Sequence, residues 1–178
     1  MTSFLRLFAP LCLALVVSTA PAQAESIKDF VGVYKGTAEF LEHGEPRKRD
    51  MSTTITTTKD GFTVSWTSTS YKSDGRIKEK SYTIEFVPSQ RDNIFASAMK
   101  TNVFGKQVPL DPLKGEPFVW ARLVGHELTV FSLFINEIGD YEMQEYNRSV
   151  MEGGLALEFR RMRNGVEERT VRTFLERQ

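Results

Sequence analysis

Cysteine and histidine are almost absent from this sequence. There is one cysteine, Cys12, and there are two histidines, His43 and His126. One cysteine excludes a disulfide framework within the chain and a thiolate metal cluster. Two histidines far apart in sequence supply no H-x-x-x-H or similar ligand pair, so each reads as a turn residue and no metal is expected. A G-x-S-x-G nucleophile elbow is missing. Glycine-rich phosphate loops are missing too, because Gly153-Gly154 separates two strand-like segments and does not open a helix. Charge of one sign is also lacking: 23 basic residues face 23 acidic ones. That balance argues against nucleic acid as a partner, since phosphate binding wants a clear basic surplus. No apolar run reaches the roughly 20 residues of a membrane span. No cofactor is expected.

What is present begins with a leader. Arg6 is the only charge before Glu25, the apolar run Leu11-Cys12-Leu13-Ala14-Leu15-Val16-Val17 follows, and Ala22-Gln23-Ala24 closes the segment. Positive n-region, apolar h-region and A-x-A site predict a secretory signal peptide over residues 1–24 and a working domain over 25–178. The run is too short for a retained membrane helix. Cys12 lies inside it and does not follow a small-residue pair, which disfavours a lipoprotein. The expected location is outside the cytoplasm: a bacterial periplasm, or the medium. Cleavage removes the cysteine and Arg6, leaving 22 basic against 23 acidic residues, a net charge of −1. A thiol-free domain of about 150 residues must be held by its core, and that length suffices for one.

The rest of the chain has one rhythm, apolar–polar alternation for seven to ten residues and then a turn. Period two means strand. Phe62-Val64-Trp66 alternates with Thr63-Ser65-Thr67, Tyr82-Ile84-Phe86 with Thr83 and Glu85, and Leu155-Leu157-Phe159 with Glu158 and Arg160. Phe30, Gly32, Tyr34, Gly36, Ala38 and Phe40 share a face. Asp60-Gly61, Asp74-Gly75, Gly139-Asp140 and Asn164-Gly165 supply hairpin turns. About ten strands are predicted, near 30–40, 50–58, 62–71, 77–87, 94–101, 118–124, 127–135, 141–150, 155–163 and 166–176. Val171, Phe174 and Leu175 in the last segment also fit a helical face. The fold class is all-β, a single up-and-down antiparallel barrel of about 8–10 strands. The alternative is a β-sandwich.

Charged clusters need separate weighing. Glu137, Asp140, Glu142 and Glu145 read as a turn and a wet strand face. Arg47-Lys48-Arg49 reads as a turn. Arg161 follows Leu157 and Phe159 inward, and Arg122 raises the same question after Phe118 and Trp120. An inward charge must be paired or must meet a ligand anion. Asn147-Arg148-Ser149 matches the N-glycosylation tripeptide but falls within a predicted strand. Eighteen aromatic residues remain beyond Phe4 and Phe8. A small barrel fills its interior with such side chains or leaves room for one ligand. The expected cavity set is Tyr34, Trp66, Tyr82, Phe86, Trp120, Arg122, Phe134 and Arg161, with Phe131 as an alternative to Phe134. Asn102 to Pro117, with three prolines, is too long for a hairpin loop and is expected to gate the cavity.

Phe30-x-Gly32-x-Tyr34 resembles the G-x-W signature of lipocalins, with tyrosine for tryptophan. Gly139-Asp140-Tyr141 with Tyr146 resembles the family's T-D-Y-x-x-Y element, with a different first residue and a later second tyrosine. The resemblance, spread over residues 25–178, is to the broad calycin class. It implies a barrel whose base aromatic is covered by an arginine of the last strand, here Arg169 or Arg172. About ten strands is closer to fatty-acid-binding proteins than to the eight of lipocalins. The resemblance also implies transport or storage of a small hydrophobic ligand. Two other functions stay open: an envelope accessory protein with a filled barrel, and a barrel isomerase or cyclase. A protein partner is not readable from these residues.

Overall fold

Alternation becomes strand almost everywhere it was read. A computed structural model describes residues 26–42, 44–72, 74–97, 100–101, 107–108 and 110–178. The expected leader at 1–24 and His43 lie outside them. The strands are β1 (Gly32–Glu42), β2 (Glu45–Thr57), β3 (Phe62–Tyr71), β4 (Ile77–Pro88), β5 (Ile94–Ser97), β6 (Lys100–Thr101), β7 (Gln107–Val108), β8 (Phe118–Val124), β9 (Glu127–Ile135), β10 (Tyr141–Met151), β11 (Gly154–Arg163) and β12 (Val166–Arg177). Ten of them close into one antiparallel barrel, in the order β1-β12-β11-β10-β9-β8-β5-β4-β3-β2, while β6 and β7 pair only with each other. The seam is β1 on β12, with Tyr34 opposite Arg177 and Lys35 opposite Glu176. Closure joins the two outer strands that an open ten-stranded sheet would leave free, and rules out the sandwich. This closed ten-stranded barrel is compatible with a calycin-like fold.

The last segment is strand and not helix. Asn164 (φ 49°) and Gly165 (φ 81°) take the two left-handed positions that a tight hairpin demands, and β12 then pairs with β11 along its length. One expected boundary is wrong by five residues. β2 starts at Glu45, so Arg47-Lys48-Arg49 is not a turn but pairs with Phe40, Glu39 and Ala38 of β1. Its inward positions there are arginines, and a strand whose inner face is charged shows no apolar alternation to detect.

The two ends of the barrel differ. At the base, a 3-10 turn over Ile27–Phe30 opens with a capping box from Ser26 and Asp29, and Phe30 is fully buried as a plug. The Tyr34 hydroxyl donates to the Phe30 carbonyl at 2.9 Å. Arg177 lies over the Tyr34 ring, 5.4 Å from its centroid, and donates to the Tyr34 hydroxyl at 3.1 Å and to the Val31 carbonyl. The arginine that covers the base aromatic is therefore Arg177, not Arg169 or Arg172. Arg169 sits over Phe40 at the other end, and Arg172 donates to Glu158 on the outside. Gly36 is needed at the seam, because a Cβ there would collide with the Phe174 carbonyl oxygen.

Above the plug, the lower barrel is packed solid. Ile55, Phe62, Val64, Phe86, Ala121, Leu128, Val130, Leu155, Leu157 and Leu175 are buried in one cluster. Each such side chain of Val, Leu, Ile or Phe size contributes about 1.5–3 kcal/mol by leaving water. Phe62 stacks on Phe86 at 5.2 Å and meets Phe95 edge-on at 5.0 Å.

Packing also settles which face of β8 points inward. Both of its parities are apolar, Phe118-Trp120 and Val119-Ala121-Leu123. The small set is buried and the aromatic set lies outside. Trp120 pairs across the sheet with Phe131, stacked at 4.9 Å, and Arg122 pairs with Thr129. The expectation that Trp120 and Arg122 line the interior is therefore wrong. The barrel wall beside β5 and β9 has room only for Val, Ala and Leu.

Candidate functional site

The mouth end of the barrel is hollow. A chamber of about 360 Å³ lies between β1–β4 on one side and β10–β12 on the other. It is built by continuing the inward parity of the core strands upward. On β3, Val64 and Trp66 lead to Ser68 and Ser70; on β4, Ile84 and Tyr82 lead to Lys80 and Lys78. On β2, Ile55 and Thr53 lead to Met51, Arg49 and Arg47. The change from apolar to polar along each strand marks where the packed base ends and the chamber begins.

The floor is a row of aromatics. Tyr82 stacks on Trp66 at 5.2 Å, Trp66 meets Tyr146 at 5.2 Å, and Tyr146 meets Phe159 at 4.8 Å. Phe40 completes the apolar wall, with the guanidinium of Arg49 5.0 Å and that of Arg169 5.7 Å from its centroid. The Tyr146 hydroxyl donates to Gln144 at 2.9 Å. Burial raises the Tyr146 phenol to about 12, so it is a neutral donor at any physiological pH.

Above the floor the wall is cationic. Arg47, Lys48, Arg49, Lys72, Lys78, Lys80, Arg161 and Arg169 all line the chamber, and among the described residues no Asp or Glu does. Arg161 is compensated from beside the chamber, with its Nε 3.1 Å from Glu168. Arg49 donates to Ser70 at 3.0 Å. Among the described residues, Lys48, Lys72, Lys78 and Lys80 form no ion pair. A cluster of like charges at one opening focuses a positive field into it.

Under the floor lies Arg148, fully buried. Its guanidinium sits 5.7 Å from the Trp66 ring and 5.8 Å from the Tyr146 ring, and its Nη1 donates to the Tyr146 carbonyl at 3.3 Å. Its Nε has no hydrogen-bond partner among the described residues. Burial lowers its pKa to about 10 and leaves it charged at neutral pH.

Of the eight residues expected in the cavity, Trp66, Tyr82 and Arg161 line it. Tyr34 and Phe86 belong to the packed base. Trp120 and Arg122 lie outside, where Arg122 stands 5.8 Å from the Phe131 ring and 3.8 Å from Glu127. Phe131 is outside as well. Phe134 is opposite Glu142 near the rim, is 37% exposed, and does not line the chamber. The acidic cluster is structural: Asp140 accepts from Asn164, Glu142 pairs with Arg163 and Glu145 with Arg160. His126 is in the exposed turn between β8 and β9.

The expected gating loop falls partly on residues 102–106 and 109, outside the described residues. Of the remainder, Gln107–Val108 pairs with Lys100–Thr101, and Pro112–Lys114 forms a 3-10 turn capped by Asp111.

The lysines of the wall were within reach of sequence reasoning. Extending the face Phe86-Ile84-Tyr82 by two more steps gives Lys80 and Lys78. Arg148 was hidden inside the glycosylation tripeptide, although it alternates with Tyr146 and Val150. Asn147, the acceptor of that tripeptide, faces the other way and accepts from Thr129 at 2.6 Å. Among the described residues, no cluster of three or more His, Cys, Asp or Glu could hold a metal ion. Neither protein-family models nor curated proteins match this chain. The chamber and its chemistry therefore carry the functional argument.

Proposed function

We propose that this protein is an exported, non-catalytic barrel that binds one small, largely hydrophobic molecule in its mouth, in the manner of lipocalins and fatty-acid-binding proteins. The observation that carries the proposal is the aromatic floor Tyr82-Trp66-Tyr146-Phe159 beneath an open chamber of about 360 Å³. Ligand sites are concavities of this size class in which apolar and aromatic walls supply most of the contact. The choice between a hollow and a filled barrel has a divided answer. The base is filled and serves stability, and the mouth is open and serves binding. Export rests on the leader over residues 1–24, and the periplasm is the proposed compartment. Native mass spectrometry of the protein purified from its own compartment tests the function. A stoichiometric co-purifying small molecule, lost when Tyr82 is replaced by alanine, is the expected result. Ligand-free protein that also fails to bind any apolar fluorescent probe would refute the proposal.

A second reading has one observation in its favour. Phe118, Trp120, Phe131 and Leu133 form an apolar strip on the outside of β8 and β9, and Phe118 is exposed there. Such a strip suits an accessory protein that works through its surface.

A further inference from the structure

We infer that the chamber takes a planar ring bearing a hydroxyl group, which Tyr146 and Gln144 recognise through hydrogen-bond directions set by Glu142. This rests on the binding role proposed above and specifies the ligand. Glu142, Gln144 and Tyr146 alternate along one face of β10. The Glu142 carboxylate is the partner of Arg163, at 3.3 Å, and it accepts hydrogen bonds without donating any. The atom that Gln144 turns to it at 2.6 Å is therefore the amide nitrogen, which carries the protons. The Gln144 carbonyl oxygen then faces Tyr146, and the Tyr146 hydroxyl must donate to it at 2.9 Å. One carboxylate thus fixes the sense of each bond in the row.

What the row has left over selects the ligand. Tyr146 and Gln144 both line the chamber. The phenol proton is committed to Gln144, so the Tyr146 oxygen offers lone pairs only. The Gln144 amide uses one N–H on Glu142 and keeps the other. An acceptor beside a donor matches a hydroxyl, which gives its proton to Tyr146 and accepts the N–H of Gln144. An ether can use only the second of these bonds. The ring follows from the floor. Tyr82 lies on Trp66 at 5.2 Å with 25° between the planes, and an aromatic ring stacked on that pair gains an attraction that a saturated ring of the same size lacks. The packed base below Trp66 stops a long chain from going deeper, so the room available is about 360 Å³.

Isothermal titration of the protein with naphthol, its methyl ether and the saturated alcohol decalol tests this. Naphthol should bind about tenfold tighter than the ether, through the bond to Tyr146 that the ether cannot make. It should bind about threefold or more tighter than decalol, through stacking. Gln144→Leu removes the acceptor of the Tyr146 proton and frees that proton for the ether oxygen. Naphthol and its ether should then bind within about twofold of each other. Tyr146→Phe is the independent variant: naphthol should weaken about tenfold while the ether is unchanged. Equal binding of naphthol and its ether by the parent protein would overturn the hydroxyl. A preference that persists in both variants would place its origin in the shape of the chamber and overturn the hydrogen-bonded row. Decalol binding as tightly as naphthol would overturn the planar ring. Absence of binding by all three would remove the cup function itself.

Discussion

Arg148 should be replaceable by methionine with no loss of stability. The guanidinium is fully buried under the aromatic floor and faces no carboxylate among the described residues. Taking such an ion out of water costs several kcal/mol even after relaxation. The fall of its pKa to about 10 expresses the same cost, on the order of 3 kcal/mol against the charged form. Because the folded pKa is the lower one, the cost is present in full at every pH below about 10, where folded and unfolded chains are both charged. Set against it are one hydrogen bond to the Tyr146 carbonyl at 3.3 Å and two ring contacts at 5.7 and 5.8 Å. These contribute about 1 and at most about 2 kcal/mol apiece. The unpartnered Nε takes back about 1–3 kcal/mol. The terms nearly cancel, so Arg148→Met, which keeps most of the volume, should change stability by between zero and about +3 kcal/mol. Urea unfolding followed by tryptophan fluorescence at pH 7 measures it. Arg148→Ala is the control and should destabilise by about 2–4 kcal/mol through the void it leaves. Destabilisation of the methionine protein by more than about 2 kcal/mol would show that the guanidinium is neutralised in the native state and that the reasoning is wrong.

Other outcomes follow from the same geometry. Tyr34→Phe removes the donor to the Phe30 carbonyl and a partner of Arg177, and should cost about 1–2 kcal/mol in thermal or urea unfolding without affecting any chamber ligand. Gly36→Ala should be far worse than a surface change of that size, about 2 kcal/mol or more, because the β1–β12 seam must open to admit the methyl group; circular dichroism melts will read it. Tyr146 is raised from 10 to about 12 by burial, so its contribution is complete below pH 10 and disappears as pH climbs from 10 to 12. Absorbance titration near 295 nm should then show a late-ionising tyrosine that is missing in Tyr146→Phe, beside Tyr71, which its hydrogen bond to Asp50 also raises. Trp120→Phe should leave ligand affinity within twofold of the parent, whereas Tyr82→Ala should weaken it about tenfold, as isothermal titration can establish.

Local chemistry alone determined most of the architecture. Alternation and turn residues mark a strand for each of the ten staves, and several, such as Phe62–Tyr71 and Glu127–Ile135, have the same limits in sequence and structure. That works because a half-buried strand must alternate and a tight hairpin must have residues that accept positive φ, and both constraints are written in neighbouring residues. The inner face of β8 was not legible. Phe118-Trp120 and Val119-Ala121-Leu123 are equally apolar, and only the space left by the opposite strands decides which enters. The cup was partly legible for the same reason in reverse. Trp66, Tyr82 and Arg161 lie on faces the core fixes, while Arg47, Arg49, Lys78 and Lys80 show no apolar pattern because the inside of the mouth is wet. The convergence of those cations from three strands onto one aromatic floor, and the burial of Arg148 beneath it, depend on barrel closure. Closure brings residues more than a hundred positions apart within a few ångströms, and period-two patterning carries no information about which strand faces which across the interior.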